Sequence, residues 1–252
     1  MNLIRVIPFL TLSEEGLVKT TAFKNRRYIG DPINAVKVFN DKEADEICLL
    51  DIDATRFYKE PDYDRIEKIV SEAFMPVTYG GGVNSLKHFE RLFSIGIEKV
   101  SVNSCIFENP SVIEEAIDLY GSQSVVASID IKKNFLGKFG IYSNCGRKKQ
   151  KINFPYAVKL LTKIGFGECI LNCIHKDGKM NGYELEVIKY FSKNLRIPVV
   201  SLGGAGSFKD LKTSVKAGSS GVGASSFFIF RGERKAVLIS YLNKKEILEL
   251  SS

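Results

Sequence analysis

Pro76-Val77-Thr78-Tyr79-Gly80-Gly81-Gly82 is an apolar run that ends in three glycines, and Lys99-Val100-Ser101-Val102-Asn103-Ser104 is a second run that ends in small polar residues. Together they read as a buried strand, a glycine turn, a helix and another buried strand. Glycines where a strand hands over to a helix bare backbone N–H groups that can hold a phosphate. One such turn says little, because tight turns need glycine anyway. Here the pattern occurs twice. Pro198-Val199-Val200-Ser201-Leu202-Gly203-Gly204-Ala205-Gly206 and Gly221-Val222-Gly223-Ala224-Ser225-Ser226 lie 122 residues further on, since 198 − 76 = 122 and 203 − 81 = 122. At the same shift Gly82 meets Gly204, Ser85 meets Ser207, Lys87 meets Lys209 and Gly96 meets Gly218. Upstream, Ala35-Val36-Lys37 meets Ala157-Val158-Lys159, Glu46 meets Glu168 and Leu49 meets Leu171. An ungapped match over several strand and helix units reads as one half-unit written twice.

Working outward from the repeat, apolar runs predict strands at 3–10 (broken by Arg5 and Pro8), 46–51, 76–79, 99–102, 125–129, 168–171, 198–202 and 221–224. Apolar residues at helical spacing predict helices at 32–42, 63–74, 86–95, 111–120, 155–164, 183–193, 208–216 and 234–249. Residues 13–28 are polar and basic without a clear period and read as a long loop. Residues 132–152 read as a hairpin insert. The strands are continuously apolar, as in a parallel sheet buried on both faces. Eight βα units without a linker predict one (β/α)8 TIM barrel domain over 1–252, built from half-barrels at about 1–122 and 123–252. A doubly wound sheet is the alternative; the two-fold repeat favours closure.

The 44% apolar content supports a large core, and no window of eighteen apolar residues spans a membrane. Met1-Asn2-Leu3-Ile4-Arg5-Val6-Ile7 lacks a signal-peptide layout, so a cytoplasmic location is expected. Five cysteines without a C-x-x-C pair fit buried free thiols in a reducing compartment rather than a zinc site; no metal or cofactor is expected. The net charge of +7 suits anionic ligands, and equally a solvated surface; no nucleic-acid motif is present.

In a barrel the residues just after each strand form the catalytic face. Here they are Thr11, Asp51, Gly80 to Gly82, Asn103, Ser104, Asp130, Asn172, Gly203, Gly204, Ala224 and Ser225. Gly81 and Gly82 with Asn103 and Ser104, and Gly203 and Gly204 with Ala224 and Ser225, form two small, backbone-rich quarters on opposite sides of the mouth. A long ligand with a phosphate at each end follows; the competing reading makes the glycines mere turns. Asp130 delivers a carboxylate to the rim for acid–base work, with a cap as its competing role. Asp51, Asn172 and Lys19 are weaker substrate-contact candidates, and Lys19 is otherwise surface charge. At the other end Arg5, Glu46, Lys99 and Glu168 start strands one, two, four and six. They would converge on the barrel floor, either for stability or as a gate into the axis.

Gly30-Asp31-Pro32, Leu50-Asp51-Ile52, Tyr79-Gly80-Gly81-Gly82, Glu98-Lys99-Val100-Ser101-Val102-Asn103, Gly121-Ser122-Gln123, Ile129-Asp130, Lys176-Asp177-Gly178 with Gly182-Tyr183, and Gly203-Gly204-Ala205-Gly206 resemble the cyclase subunit (HisF) family of imidazole glycerol phosphate synthase over nearly the whole chain. The resemblance implies a glutaminase partner docked on the N-terminal barrel face, whose ammonia passes a gate formed by Arg5, Glu46, Lys99 and Glu168. It implies a phosphorylated small-molecule substrate, with Asp177 and Gly178 added to the phosphate contacts, and Asp130 as one of two catalytic aspartates. The other is absent: the family's first strand ends in Cys-Leu-Asp, and this one ends Phe9-Leu10-Thr11. His175 also stands where aspartate is usual. Threonine cannot ionise near neutral pH, so Thr11 cannot replace a carboxylate as acid or base. This pattern is similar to a divergent branch of the family found with surface-glycan biosynthesis. The favoured expectation is therefore a HisF-like subunit that uses ammonia in acetamidino formation on glycan sugars, beside a separate sugar amidotransferase. An authentic cyclase of histidine biosynthesis is the second expectation, and a non-catalytic ammonia conduit the third.

Overall fold

Each apolar run of the sequence forms a strand, and the registers of these strands close on themselves. The computed structural model describes residues 4–251. Its barrel strands are β1 (Arg5–Ser13), β2 (Ile47–Asp51), β3 (Val77–Gly80), β4 (Lys99–Val102), β5 (Val125–Lys133), β6 (Glu168–Cys173), β7 (Val199–Leu202) and β8 (Gly221–Ala224). Each pairs in parallel with the next, and β8 returns to β1. The fold is thus the (β/α)8 barrel, not the doubly wound alternative. Outside lie α1 (Pro32–Asp41), α2 (Tyr63–Val70), α3 (Leu86–Ser94), α4 (Pro110–Tyr120), α5 (Phe154–Ile164), α6 (Leu185–Asn194), α7 (Phe208–Lys216) and α8 (Lys244–Ser251).

The repeat is visible in the element bounds. Shifting β3, α3 and β4 by 122 gives the bounds of β7, α7 and β8 (77 + 122 = 199, 86 + 122 = 208, 99 + 122 = 221). Local chemistry fixes several of these ends. Asp31 caps α1 by accepting the Asn34 N–H, with Pro32 in the first turn. Ser207 and Asp210 form a reciprocal capping box on α7. Two cores result. The larger lies between strands and helices and includes Phe39, Tyr79, Phe89 and Phe191. The smaller fills the barrel axis with Ile7, Phe9, Cys48, Val126, Ile170, Val200 and Leu202.

Four expectations are corrected. Residues 13–28 are not a loop: β1 continues into an antiparallel hairpin of Gly16–Thr21 and Lys24–Gly30. The first strand is not broken by Pro8, which falls where pairing passes from β8 (through Pro8) to β2 (from Phe9), a place that tolerates a missing N–H; Leu3 lies outside the described residues. Helix α2 stops at Val70, and Phe74 is 90% exposed. The last helix starts at Lys244 rather than 234. Asn243 and Glu246 cap it reciprocally, and Phe230–Arg231 pairs with Ala236–Val237 upstream. The predicted insert is a hairpin in which Phe139–Ser143 runs antiparallel to β5. All five cysteines are free thiols, and four are buried. No helix among the described residues is long and apolar enough to cross a membrane.

Candidate active site at the barrel mouth

Both first strands of the half-barrels overrun the barrel and turn back as hairpins, which roof the mouth. Thr20 Oγ1 donates to Asp177 Oδ2 (2.9 Å) and the Ala22 N–H to the Asp177 carbonyl (3.0 Å), tying the first hairpin to the loop after β6. Beneath them lies a cavity of about 400 Å³. Thr11, Lys19, Asp51, Gly81, Gly82, Asn103, Ser104, Asp130, Asn172, Asp177 and Ser225 all line it. Gly178, Gly203, Gly204 and Ala224 do not; Gly203, Gly204 and Ala224 are buried beside it. The structure therefore brings one glycine quarter fully into the cavity and reaches the other through Ser225.

Gly81 and Gly203 require glycine. Their φ angles are 122° and 89°, and a Cβ would run into the carbonyl oxygens of Asp51 and Cys173 respectively. These pairs are two-fold mates, since 203 − 81 = 122 and 173 − 51 = 122. The small polar residues beside them hold the scaffold as well as face the cavity. Asn103 Nδ2 donates to the Ser128 carbonyl (2.8 Å), Ser104 Oγ accepts the Asn144 N–H (3.0 Å), and Ser225 Oγ donates to the Phe9 carbonyl. Asp51 accepts the Asp53 and Ala54 N–H groups (both 2.9 Å), and burial raises its pKa above the ordinary carboxylate value.

Asp130 is 6% exposed, and burial pushes its pKa up to about 7 against the hydrogen bond from Asn172 Nδ2 (3.1 Å). Sheet register places Thr11 as its counterpart. Asp130 pairs with Asn172 and Thr11 with Leu50, and 172 − 50 = 122. Across the two-fold, Asp130–Asn172 thus becomes Thr11–Leu50: a carboxyl held by an amide is replaced by a hydroxyl beside an aliphatic chain. Lys19 Nζ lies 3.5 Å from Thr11 Oγ1, and the residue is 4% exposed, so it is a buried lysine rather than surface charge. His175 serves the scaffold: Nδ1 accepts the Lys133 N–H (3.3 Å) and Nε2 lies 2.9 Å from Glu184 Oε2.

Several cavity cations were not singled out in the sequence. Lys24, Arg26, Arg56, Lys132 and Arg147 line it beside Lys19, against the carboxylates Asp51, Asp130 and Asp177. An excess of cations around backbone-rich turns suits an anionic ligand. Their signal lay in clusters just after strands, such as Arg56 beyond β2 and Arg147-Lys148-Lys149 in the insert. Among the described residues, no group of three or more His, Cys, Asp or Glu could hold a metal ion.

At the barrel floor the four charges form a closed ring. Arg5 reaches Glu46 and Glu168 (2.8 Å each), and Lys99 reaches Glu46 (3.1 Å) and Glu168 (3.2 Å). Thr78 Oγ1 donates to Glu46 as well (2.9 Å). Both carboxylates are under 10% exposed, and each is satisfied by two cations. The apolar axis core sits directly above this ring and ends at the cavity, where Leu202 and Phe9 line both.

Comparison with known proteins shows which family this barrel belongs to. The family model described as "Histidine biosynthesis protein" matches residues 5–234. The chain belongs to this family, in its HisF branch. A Vibrio vulnificus relative provisionally named imidazole glycerol phosphate synthase subunit hisF3 is 46% identical over 251 residues, 98% of this chain and 96% of its own. The Pseudomonas aeruginosa relative, provisionally named subunit hisF2, is 44% identical over 96% of this chain and 98% of its own. The Bacillus cereus (strain AH187) protein named imidazole glycerol phosphate synthase subunit HisF is 39% identical over 80% of both chains. The chain is thus a HisF-like subunit of the imidazole glycerol phosphate synthase type.

Proposed function

We propose that this subunit receives ammonia from a glutaminase docked on the barrel floor and presents it, through the axis, to a phosphorylated substrate in the mouth cavity. The observation that carries the reading is the ring of Arg5, Glu46, Lys99 and Glu168 at the foot of the apolar axis core. A neutral ammonia molecule crosses apolar surroundings more easily than an ion does. Asp130 is the acid–base group, and the two glycine quarters grip phosphate: Gly81, Gly82, Asn103 and Ser104 on one side, and on the other Asp177 and Ser225 in the cavity wall, with Gly178, Gly203, Gly204 and Ala224 shaping the backbone behind them. Asp51, Asn172 and Lys19 contact the substrate between them. No cofactor is needed for this chemistry.

Within this frame we place the subunit in amidation of surface-glycan sugars, working beside a sugar amidotransferase, because Thr11 removes half of the acid–base pair that cyclisation requires. The second reading is an authentic cyclase of histidine biosynthesis, favoured by the names of relatives 34–39% identical to the chain. Gate function is tested with Lys99→Ala in complex with the glutaminase. Ammonium-dependent activity should persist while glutamine-dependent activity changes; equal change in both would make the ring a purely structural feature.

A further inference from the structure

Lys19 has surroundings that substrate contact alone does not require. It sits on the hairpin strand Gly16–Thr21, lines the cavity, and points its amine at the Thr11 hydroxyl (3.5 Å). Among the described residues no carboxylate is ion-paired with it. The acids that share its cavity are engaged elsewhere: Asp177 Oδ2 holds the Thr20 hydroxyl, Asp130 Oδ1 holds the Asn172 amide, and Asp51 Oδ1 holds the Asp53 and Ala54 N–H groups. Arg27, directly across the hairpin, is turned over the Phe230 ring (5.0 Å). Burial without a paired counter-charge favours the free amine, and here burial pulls Lys19 below its ordinary value while Asp177 offsets part of the effect. A free lysine amine in a desolvated site is a nucleophile toward carbonyl groups.

We propose that Lys19 traps a phosphorylated aldehyde or ketone in this cavity as an imine. This rests on the ammonia reading above and gives it a chemical step. The amine nitrogen adds to the carbonyl carbon, Asp130 gives a proton to the departing oxygen, and water leaves as the C=N bond to Lys19 forms. Ammonia then adds to the same carbon and the lysine amine departs, which leaves the substrate as its C=NH imine and Lys19 free. No electrons are gained or lost. Thr11 is what permits the step, because a carboxylate at that position would pair with Lys19 and hold it as the unreactive ammonium.

The test uses pyridoxal 5′-phosphate as the probe, with borohydride trapping on the full chain and peptide mapping. Lys19 should be modified ahead of the exposed lysines. Lys19→Met and Lys19→Arg should lose this adduct, and ammonium chloride added before borohydride should discharge it. Thr11→Asp should slow the modification at neutral pH by about tenfold or more, because each unit of raised pKa removes about nine-tenths of the free amine. Modification confined to exposed lysines, or a Lys19 rate indifferent to Thr11→Asp, overturns the proposal. The Lys99→Ala experiment involves neither Lys19 nor the probe, so failure of the gate reading is seen separately.

Discussion

The two sides of the barrel mouth share one scaffold and differ in chemistry. On the side of β5 and β6, Asp130 is buried and held by Asn172. On the side of β1 and β2, the same register positions hold Thr11 and Leu50, and the neighbouring charge is Lys19. The backbone beneath them is conserved between the halves to the residue: Gly81 and Gly203 make the same close approach to the chain of the preceding strand. The two halves share the frame and differ in the side chains set on it. The floor shows no such loss, since each carboxylate of its ring meets two cations.

The largest effect expected from this contrast is on stability against pH. Asp130 has a folded-state pKa of about 7, above that of an unfolded carboxyl, so its contribution is fully present below about pH 4 and is lost as pH rises through about 7. Asp130→Asn keeps the acceptor for Asn172 and cannot ionise. Relative to this variant, wild type should lose about 3–4 kcal/mol between pH 4 and pH 8, measured by urea unfolding. A parallel pH dependence in both proteins would show that Asp130 titrates normally. The scaffold mates should respond alike: Gly81→Ala and Gly203→Ala should each cost about 2–4 kcal/mol from a left-handed backbone plus collision with a carbonyl. A large difference between them would break the symmetry claimed for the frame. The smallest effect belongs to Thr11→Val, which should change stability by less than about 1 kcal/mol at any pH.

Much of this was legible in the sequence because the strands are uninterrupted apolar runs and the repeat is ungapped. The ring charges were legible because each begins or immediately precedes a strand, and Glu46 and Glu168 are repeat mates. The first hairpin was not: Lys24–Gly30 is exposed over most of its length, so no alternation marks it as a strand. The burial of Lys19 was hidden by its basic neighbours, because it follows from the hairpin folding over the mouth. Thr11 and Asp130 are separated by 119 residues rather than 122, so the repeat match that reveals the frame steps past the pair. The last helix was placed too early because nothing in the pattern marked the short pairing of Phe230–Arg231 with Ala236–Val237 before the Asn243 cap.

We expect the mouth to keep its grip on a bisphosphorylated ligand while lacking half of an acid–base pair. This is tested most directly by binding and turnover of the histidine-pathway substrate with ammonium supplied, in wild type and Thr11→Asp. One acid–base partner contributes typically about 10²–10⁴-fold, so wild type should bind the substrate yet turn over slower than an aspartate-bearing cyclase by about that factor. Thr11→Asp should recover part of the difference. Wild-type turnover equal to that of an aspartate-bearing cyclase would contradict the account and return the chain to histidine biosynthesis.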